Sequence, residues 1–510
     1  MALTLPAIFS DGMVLQRGKP VIVRGNAAPN AVVEVELGGE CVTVTSDDNG
    51  TFLAELQPRA AGEAAELTVA AQGETITVRD VLFGDVWLCS GQSNMVLPIS
   101  RVKNMYPSEL NAENALIRQF KAPDAYAFDG ARDDFSPRGN GWERVSPATV
   151  GGFSAVAYFF ARELFARHGV PIGLYVSAVG GSRVHAWTRR EDLGDFPELV
   201  AESEAFAGMT APEFAVDAPD SERADWSGVD LDDADWSERE LDDAFDDDLL
   251  KPGVVWFRKT LDVPPSLANK PATLYLGTLT DADETYVNGK IVGGTTYRYP
   301  PREYAVPPLT VGKCVVAVRL TIGGNDGGFT YGKQRLLNIG GVSFDLNSTW
   351  KYRRESYSEP IANLPPNLNY IASGLYNAMV APLRFAAITG VIWYQGESDD
   401  GNPCRYDERF RALIRGWREL WGEDFPFLFA ELAHYRSGGE EWRSIRRQQK
   451  SALTLPKTGM AATFDLGEHN DLHPLNKKAV AERLARLALQ LAYGEDMPPS
   501  PFCVVLGGGE

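Results

Sequence analysis

The chain has 510 residues, so about two to four domains are expected. It carries 69 acidic and 49 basic side chains, and its net charge of −20 argues against nucleic acid or an anionic membrane as a partner. A neutral substrate is favoured, or an acidic one that arginines bind locally. Five scattered cysteines without a Cys-x-x-Cys spacing predict no disulfide framework, and we expect no metal site.

The sequence also indicates where the protein works. No apolar run approaches the roughly 20 residues of a membrane span, and residues 1–6 have neither the basic nor the apolar region of a signal peptide. An odd number of scattered cysteines fits a reducing compartment. We expect a cytoplasmic protein, or a periplasmic or secreted one whose signal peptide has been removed. Its oligomeric state stays open.

Residues 1–80 are typical of β-structure. Short β-branched runs at 21–23, 32–37 and 67–70 are separated by Pro-Asn and Asn-Gly turn signals. These runs predict an N-terminal β-sandwich. Such a domain is either a sugar-binding module or a structural domain packed on an enzyme.

From residue 81 the pattern changes to strands that alternate with helices. Strands are predicted at 81–88, 171–178, 391–394, 425–430 and 460–464, and helices at 153–169, 406–421, 441–455 and 476–492. Gly169 is suited to the residue just after a helix. Alternation of this kind predicts an α/β catalytic domain with a parallel sheet covered on both faces.

A different segment separates the two α/β halves. Residues 216–248 are acidic and of low complexity, and Trp226 and Trp236 within them predict packing against a surface. Residues 253–345 are β-rich, and Asn288-Gly289 predicts a type I′ hairpin turn. We predict an inserted β-sandwich at 249–345 that divides the catalytic domain into residues 81–248 and 346–510.

Four segments with candidate catalytic residues follow predicted strands, where open α/β sheets bind ligands. The first is Gly-Gln-Ser-Asn at 91–94, which carries Ser93. The second has the paired glycines Gly180 and Gly181, the third has Gln395, and the fourth has Asp471 and His473. A serine followed late in the chain by an acid and a histidine is the pattern of a serine hydrolase. Taken alone, Ser93 would be a helix cap.

These four blocks, in this order, resemble the SGNH hydrolase superfamily. More closely, they are similar to the sialate O-acetylesterase and related carbohydrate acetylesterase family. The resemblance covers nearly the whole chain, including the segment Leu-Gln-Arg at 15–17 and the inserted sandwich, which is similar to the galactose-binding-like module of β-galactosidases. It implies a flavodoxin-like three-layer catalytic domain with no metal or organic cofactor, acting on an acetylated carbohydrate.

The resemblance also implies residue roles. Ser93 is the nucleophile and His473 the general base, with His469 as the rival base. The oxyanion hole consists of the Ser93 and Gly181 N–H groups and the Gln395 side chain. Many superfamily members have the acid three residues before the histidine, but Asn470 occupies that position here. His473 is therefore oriented by Asp471, by another carboxylate such as Asp465, or by a backbone carbonyl.

We also predict substrate contacts for four polar residues that flank the blocks. They are Gln92, Asn94, His185 and Glu397. For His185 the alternative is a structural contact. For Glu397 the alternative is a buried carboxylate that accepts hydrogen bonds from turn N–H groups.

The predicted function is a serine carbohydrate esterase that removes O-acetyl groups from sialate or from plant glycans such as xylan or xyloglucan. A non-catalytic glycan-binding protein that uses its β-sandwiches is the alternative. A glycosidase with paired carboxylates explains the four blocks less well.

Overall fold

The computed structural model describes residues 2–62, 64–207, 223–242, 248–324, 327–358, 367–435 and 438–505. The chain forms two compact units. Met1–Glu213 and Pro366–Glu510 make up the first unit, and Phe214–Pro365, inserted in its sequence, make up the second. No helix among the described residues is long and apolar enough to cross a membrane.

The first part of the chain contains ten strands and three α-helices. The strands are β1 (Val14–Gln16), β2 (Val21–Asn26), β3 (Val32–Leu37), β4 (Glu40–Thr45), β5 (Thr51–Leu56), β6 (Ala65–Ala71), β7 (Glu74–Gly91), β8 (Asn114–Lys121), β9 (Trp142–Val145) and β10 (Ile172–Ala178). The helices are α1 (Ser93–Val96), α2 (Ala155–His168) and α3 (Pro197–Ala205).

The N-terminal strands are continuous with the α/β sheet through β7. Strand β3 pairs with β4 and β6, β2 pairs with β5, and the first part of β7 pairs with β6. Alternation along β3 buries Val33, Val35 and Leu37. The second part of β7 pairs with β10 in the α/β sheet. The predicted boundary at residue 80 therefore falls inside one strand of 18 residues.

The last part of the chain completes the α/β sheet. Its strands are β23 (Gly390–Tyr394), β24 (Phe427–Ala430), β25 (Thr458–Ala461) and β26 (Cys503–Val504), numbered after the twelve strands of the second unit described below. Its helices are α4 (Tyr406–Trp421), α5 (Glu440–Gln449) and α6 (Lys477–Leu491).

The sheet is mainly parallel, in the order β26-β25-β24-β23-β7-β10-β8-β9, with antiparallel strands at both edges. Helices lie on both of its faces. On one face, Trp393 of β23 shares an apolar core with Phe410 of α4. On the other face, Ile392 of β23 shares a core with Val480 of α6. This arrangement confirms the predicted mixed α/β class with a parallel sheet.

The second unit is all-β in its described residues. Its strands are β11 (Ser237–Glu240), β12 (Gly253–Val263), β13 (Ala272–Gly277), β14 (Leu279–Thr280), β15 (Ala282–Val287), β16 (Lys290–Thr295), β17 (Arg302–Val306), β18 (Gly312–Ile322), β19 (Gly328–Phe329), β20 (Leu336–Ile339), β21 (Val342–Asp345) and β22 (Thr349–Tyr357). One sheet has the order β11-β22-β12-β18-β15-β16 and another has the order β17-β13-β20-β21.

This unit extends beyond the predicted limits of 249 and 345. Strand β11 pairs with β22, and β22 pairs with β12, so residues on both sides of the predicted segment belong to one sheet. Part of the acidic segment also belongs here, because the rings of Trp226 and Trp236 lie 5.3 Å apart and Trp226 lies 6.3 Å from Trp256. Asn288, with φ of 51°, lies in the predicted hairpin turn between β15 and β16.

Candidate active site

Ser93 is the first residue of α1, two residues beyond the end of β7. Strand β7 lies between the parallel strands β10 and β23. Its last residue, Gly91, has φ of 130°, and a Cβ atom there would lie 2.2 Å from the carbonyl oxygen of Tyr394. Because only glycine fits this turn, the backbone brings Ser93 to the carboxyl edge of the sheet. The N-cap of α1 is Gln92, so Ser93 is not the cap.

His473 lies directly beside this serine. Its Nε2 atom is 2.8 Å from Ser93 Oγ. The imidazole is buried, and this burial, together with the positive charges of Lys477 and Arg101, lowers the pKa of His473 to about 4, whereas Asp471 acts in the opposite direction. The ring is therefore neutral at pH 7 and can accept the hydroxyl proton. The rival base, His469, is exposed.

The Asp471 carboxylate contacts His473 mainly through the backbone. Its Oδ1 atom accepts a 2.8 Å hydrogen bond from the His473 N–H and lies 4.0 Å from His473 Nδ1, which is longer than a hydrogen bond. The other candidate acid, Asp465, accepts two hydrogen bonds of 2.7 Å from Arg483. Asp471 is therefore the carboxylate beside the ring, although the described contact is electrostatic.

The paired glycines lie next to the nucleophile. They follow the end of β10, and a Cβ atom on Gly180 would lie 3.5 Å from Ser93 Cβ. The Gly180 carbonyl accepts a 3.0 Å hydrogen bond from Asn369 Nδ2. Gly181 has φ of 70°, which favours glycine. The N–H of Ser93 has no acceptor inside α1 because it belongs to the first turn of the helix.

Gln395 does not serve as the predicted oxyanion donor in this arrangement. Its side chain is fully buried, and Nε2 donates to the Ser182 carbonyl at 3.0 Å and to Asp399 Oδ2 at 2.6 Å. Its Oε1 accepts from the Tyr406 hydroxyl at 3.1 Å. An amide nitrogen has two hydrogens, and both are already donated. The prediction is corrected because the side chain instead ties together the loops behind the site.

Two of the predicted substrate contacts are structural. Gln92 Oε1 accepts hydrogen bonds from the N–H groups of Gly396 and Ser398, at 3.3 and 3.2 Å. His185 is buried, with Nε2 2.7 Å from the Tyr370 carbonyl and Nδ1 facing Arg409 at 3.2 Å. Burial and the Arg409 charge lower the pKa of His185 to about 3. The structural alternative for His185 is therefore the one the contacts support.

The other two predicted contacts belong to a buried polar cluster beneath Ser93. Asn94 Nδ2 donates to Glu397 Oε1 at 2.5 Å and to the Leu472 carbonyl at 3.1 Å, and Asn94 Oδ1 accepts from Lys477 Nζ at 2.5 Å. Both amide hydrogens of Asn94 are therefore donated within the protein, and the side chain is buried. Glu397 is buried too, and its carboxylate accepts hydrogen bonds from Asn94 Nδ2 and from a backbone N–H at Glu397 itself, as in the alternative predicted for it. Burial raises the pKa of Glu397.

Sequence reasoning missed two cations near the site. Lys477 is the first residue of α6, where a positive charge is unfavourable because the N-terminus of a helix is itself positive. That unusual position is a signal that could have found it. The second is Arg183, whose Nε donates to the Ser398 carbonyl at 3.2 Å and whose guanidinium lies 4.1 Å from the centre of the Tyr370 ring. In the described part of the chain, its two terminal nitrogens have no hydrogen-bond acceptor.

The chain is similar to known esterases along most of its length. Residues 83–211 and 358–492 match the family model "Carbohydrate esterase, sialic acid-specific acetylesterase". The sialate O-acetylesterase of Homo sapiens is 30% identical over 96% of this chain and 70% of its own length, and that of Pongo abelii is 31% identical over the same shares.

A solved structure agrees with these matches. The crystal structure of a carbohydrate acetylesterase from Xanthomonas citri superposes with a TM-score of 0.62 at 28% sequence identity. The match covers 97% of this chain and 77% of that chain. The matched segments contain Ser93, Gly181, Gln395 and His473. The chain belongs to the carbohydrate esterase family of sialic acid-specific acetylesterases, and it is an acetylesterase.

Proposed function

We propose that this enzyme removes O-acetyl groups from sugars through an acetyl-enzyme intermediate on Ser93, with His473 as the general base. The observation that supports this proposal is the 2.8 Å contact between Ser93 Oγ and His473 Nε2. A serine hydroxyl is a weak nucleophile until a neighbouring base takes its proton. His473 is suited to this role because its ring is buried beside the serine and neutral at pH 7.

The reaction proceeds in two acyl transfers. Ser93 Oγ attacks the acetyl carbonyl carbon while its proton passes to His473 Nε2. The bond between that carbon and the sugar oxygen then breaks, and the imidazolium returns the proton to the leaving sugar oxygen. Water attacks the acetyl-enzyme with His473 as base, and acetate leaves as the proton returns to Ser93.

We propose the N–H groups of Ser93 and Gly181 as the oxyanion donors. The Gly180 carbonyl points toward Asn369, and the Gly181 N–H belongs to the same planar peptide, so it points to the opposite side. The N–H of Ser93, in the first turn of α1, has no acceptor within that helix. Each such donor contributes on the order of 3 kcal/mol to the stabilisation of the transition state.

The role proposed for Asp471 is to hold the loop of His473 and to stabilise the imidazolium by charge. Its contact with the His473 N–H supports the first part, and its position 4.0 Å from Nδ1 supports the second. This is a looser arrangement than a direct carboxylate–imidazole hydrogen bond.

We propose an SGNH-type, flavodoxin-like fold for the α/β sheet with its helices, with a β-sandwich at the N-terminus and a galactose-binding-like sandwich as the insert. The parallel strand order and the helices on both faces support the first assignment. Two antiparallel sheets that share one apolar core support the last assignment. For the insert, residues 214–365 replace the limits of 249 and 345 predicted from the sequence.

The experiment is to compare wild type, Ser93→Ala and Ser100→Ala with p-nitrophenyl acetate and with a panel of acetylated sialate, xylan and xyloglucan. Ser100 is an exposed serine seven positions further along and serves as the matched control. We expect Ser93→Ala to lose at least 10³-fold in turnover and Ser100→Ala to match wild type. Glycan binding without acetate release from the wild type would support the non-catalytic alternative.

The same panel tests the base and the substrate class. His473→Ala should lose activity as Ser93→Ala does, whereas the exposed His469→Ala should not, and the reverse result would transfer the role of base to His469. Release of acetate from one class of glycan alone would assign the substrate, which we leave between sialate and plant glycans.

A further inference from the structure

The buried cluster beneath the nucleophile joins three separate segments of the chain. Asn94 lies on α1, Glu397 follows β23, and Lys477 begins α6. The three side chains are buried, and Asn94 lies between the two charged groups at 2.5 Å from each. We call these three residues the Asn94 bridge. The catalytic steps proposed above use none of them.

Stability alone does not explain such a cluster. Lys477 has no solvent exposure, and desolvating an ammonium group costs several kcal/mol. Its position at the first turn of α6 adds an unfavourable interaction with the helix dipole. Well-packed apolar side chains of similar volume are often as stable as a buried ion pair or more so. Such a cluster beside the nucleophile points to a role in the reaction.

The contacts of Asn94 connect the nucleophile to the base. Asn94 follows Ser93 in sequence, and its Nδ2 also donates to the carbonyl of Leu472, the residue before His473, at 3.1 Å. One amide therefore holds the backbone on both sides of the 2.8 Å contact between Ser93 Oγ and His473 Nε2.

The two charged neighbours fix which way this amide points. Burial lowers the pKa of Lys477 to about 7, so below neutral pH its side chain is an ammonium group, which can only donate and must face Asn94 Oδ1. A carboxylate can only accept, so Glu397 must face Nδ2 and thereby directs the second hydrogen toward Leu472. If the amide were reversed, Nδ2 would face the Lys477 ammonium group, a donor against a donor, and Oδ1 would face the Glu397 carboxylate, an acceptor against an acceptor. The charges thus select the single orientation that can hold Leu472.

Resting on the esterase function proposed above, we infer that the Asn94 bridge is a positioning device that sets His473 against Ser93 and, through the Lys477 charge, keeps the imidazole unprotonated. Lys477 disfavours the imidazolium, as Arg101 does, whereas Asp471 favours it. The side chains that act on Lys477 and Glu397 are Asp399, Glu468, Asp471, Arg101 and the ring of Tyr394, which lies 5.2 Å from Lys477 Nζ.

The test compares the pH dependence of kcat/KM for Lys477→Met and Lys478→Met with p-nitrophenyl acetate. Lys478 is the neighbouring lysine, more than a third exposed and 3.7 Å from Glu482. Without the Lys477 charge, the imidazole binds a proton more readily, so we expect the acidic limb of the profile to move to higher pH by roughly one unit. Lys478→Met should keep the wild-type profile. An unmoved limb in an active Lys477→Met enzyme would overturn the inference.

A second variant keeps the test decisive if Lys477→Met does not fold. Asn94→Ala removes the clamp, and we expect kcat to fall by about tenfold or more with KM little changed, because binding of the small ester does not involve the bridge. Wild-type kcat in Asn94→Ala would overturn the inference. Ser93→Ala separates the two proposals: if that variant is inactive while Lys477→Met and Asn94→Ala behave as wild type, only the positioning role fails.

Discussion

Asp471 holds His473 by its backbone more closely than by its ring. The carboxylate oxygen Oδ1 lies 2.8 Å from the His473 backbone nitrogen but 4.0 Å from Nδ1. Asp471 stands two residues before the histidine. The short spacing forms a compact turn in which the carboxylate accepts from the N–H of the second residue on. The acid therefore acts on the ring through charge across a gap.

We expect Asp471→Asn to reduce kcat/KM by on the order of tenfold at neutral pH, well short of the roughly 10⁴-fold loss seen when a hydrogen-bonded triad acid loses its charge. The asparagine oxygen can still accept from the His473 N–H, so the turn is kept. Asp471 favours the imidazolium, so its neutralisation should lower the pKa of His473 from about 4 and shift the acidic limb of the pH profile to lower pH. A pH series of kcat/KM for both proteins measures each effect.

A loss near 10⁴-fold would contradict this expectation and would mean that the carboxylate swings onto Nδ1 during the reaction. The direction of the pH shift is a further check, because it is opposite to the one expected for Lys477→Met.

Gln395→Ala tests the corrected role of the buried amide. Its removal leaves the Ser182 carbonyl and Asp399 Oδ2 without this donor, so the free energy of unfolding in urea should fall by about 1–3 kcal/mol. Turnover of p-nitrophenyl acetate by the folded enzyme should fall much less than the roughly 10²- to 10³-fold typical of a lost oxyanion donor. A loss of that size with unchanged unfolding would restore the oxyanion role.

The α/β half of the fold could be predicted from the sequence because its helices and strands have a regular pattern of apolar residues. The helix predicted at 406–421 is Tyr406–Trp421, and the helix predicted at 476–492 is Lys477–Leu491. Gly169, with φ of 65°, ends α2 as predicted. The domain limits could not be predicted in this way. Strand β7 runs through the predicted limit at residue 80, and β22, which lies beyond the predicted limit at residue 345, pairs with β12 before it. Strand pairing between distant segments leaves no mark in local composition.

At the site, too, local sequence predicts some positions, whereas contacts between distant segments determine others. Ser93 follows the end of a strand as predicted, and the structure brings His473 to it. Gln395 was predicted as an oxyanion donor and Asn94 as a substrate contact, but buried partners occupy both amides. Lys477 lies 383 residues from Asn94, and the Ser182 carbonyl lies 213 residues from Gln395, so local sequence does not show that these groups meet.

Arg183 should distinguish an acidic from a neutral substrate. Stacking on Tyr370 and the bond to Ser398 hold the guanidinium in place, with its terminal nitrogens available to a carboxylate. We expect Arg183→Leu to lower kcat/KM for an O-acetylated sialate by about tenfold or more, and to leave p-nitrophenyl acetate nearly unchanged. Arg183→Lys, which keeps the charge without the planar fork, should lie between. Equal losses on the charged and the neutral ester would exclude recognition of the carboxylate.

The second unit should affect the choice of substrate and leave the chemistry intact. Ser93, Gly181, Asp471 and His473 all belong to the first unit. When residues 214–365 are replaced by a short Gly/Ser linker, we expect kcat/KM for p-nitrophenyl acetate to stay within about threefold of wild type, while acetate release from oligomeric glycans falls, since remote binding energy is lost. Circular dichroism must first show that the product is folded.

Removal of 249–345 alone is the informative control for this experiment. It leaves β11 and β22 without β12 and strips Trp226 and Trp236 of the partner ring of Trp256. Unpaired strand edges and exposed aromatic rings promote aggregation, so this shorter deletion should give little soluble protein. A soluble and active product of the shorter deletion would contradict the wider limits. Loss of aryl esterase activity in a folded 214–365 deletion would show that the second unit shapes the catalytic site.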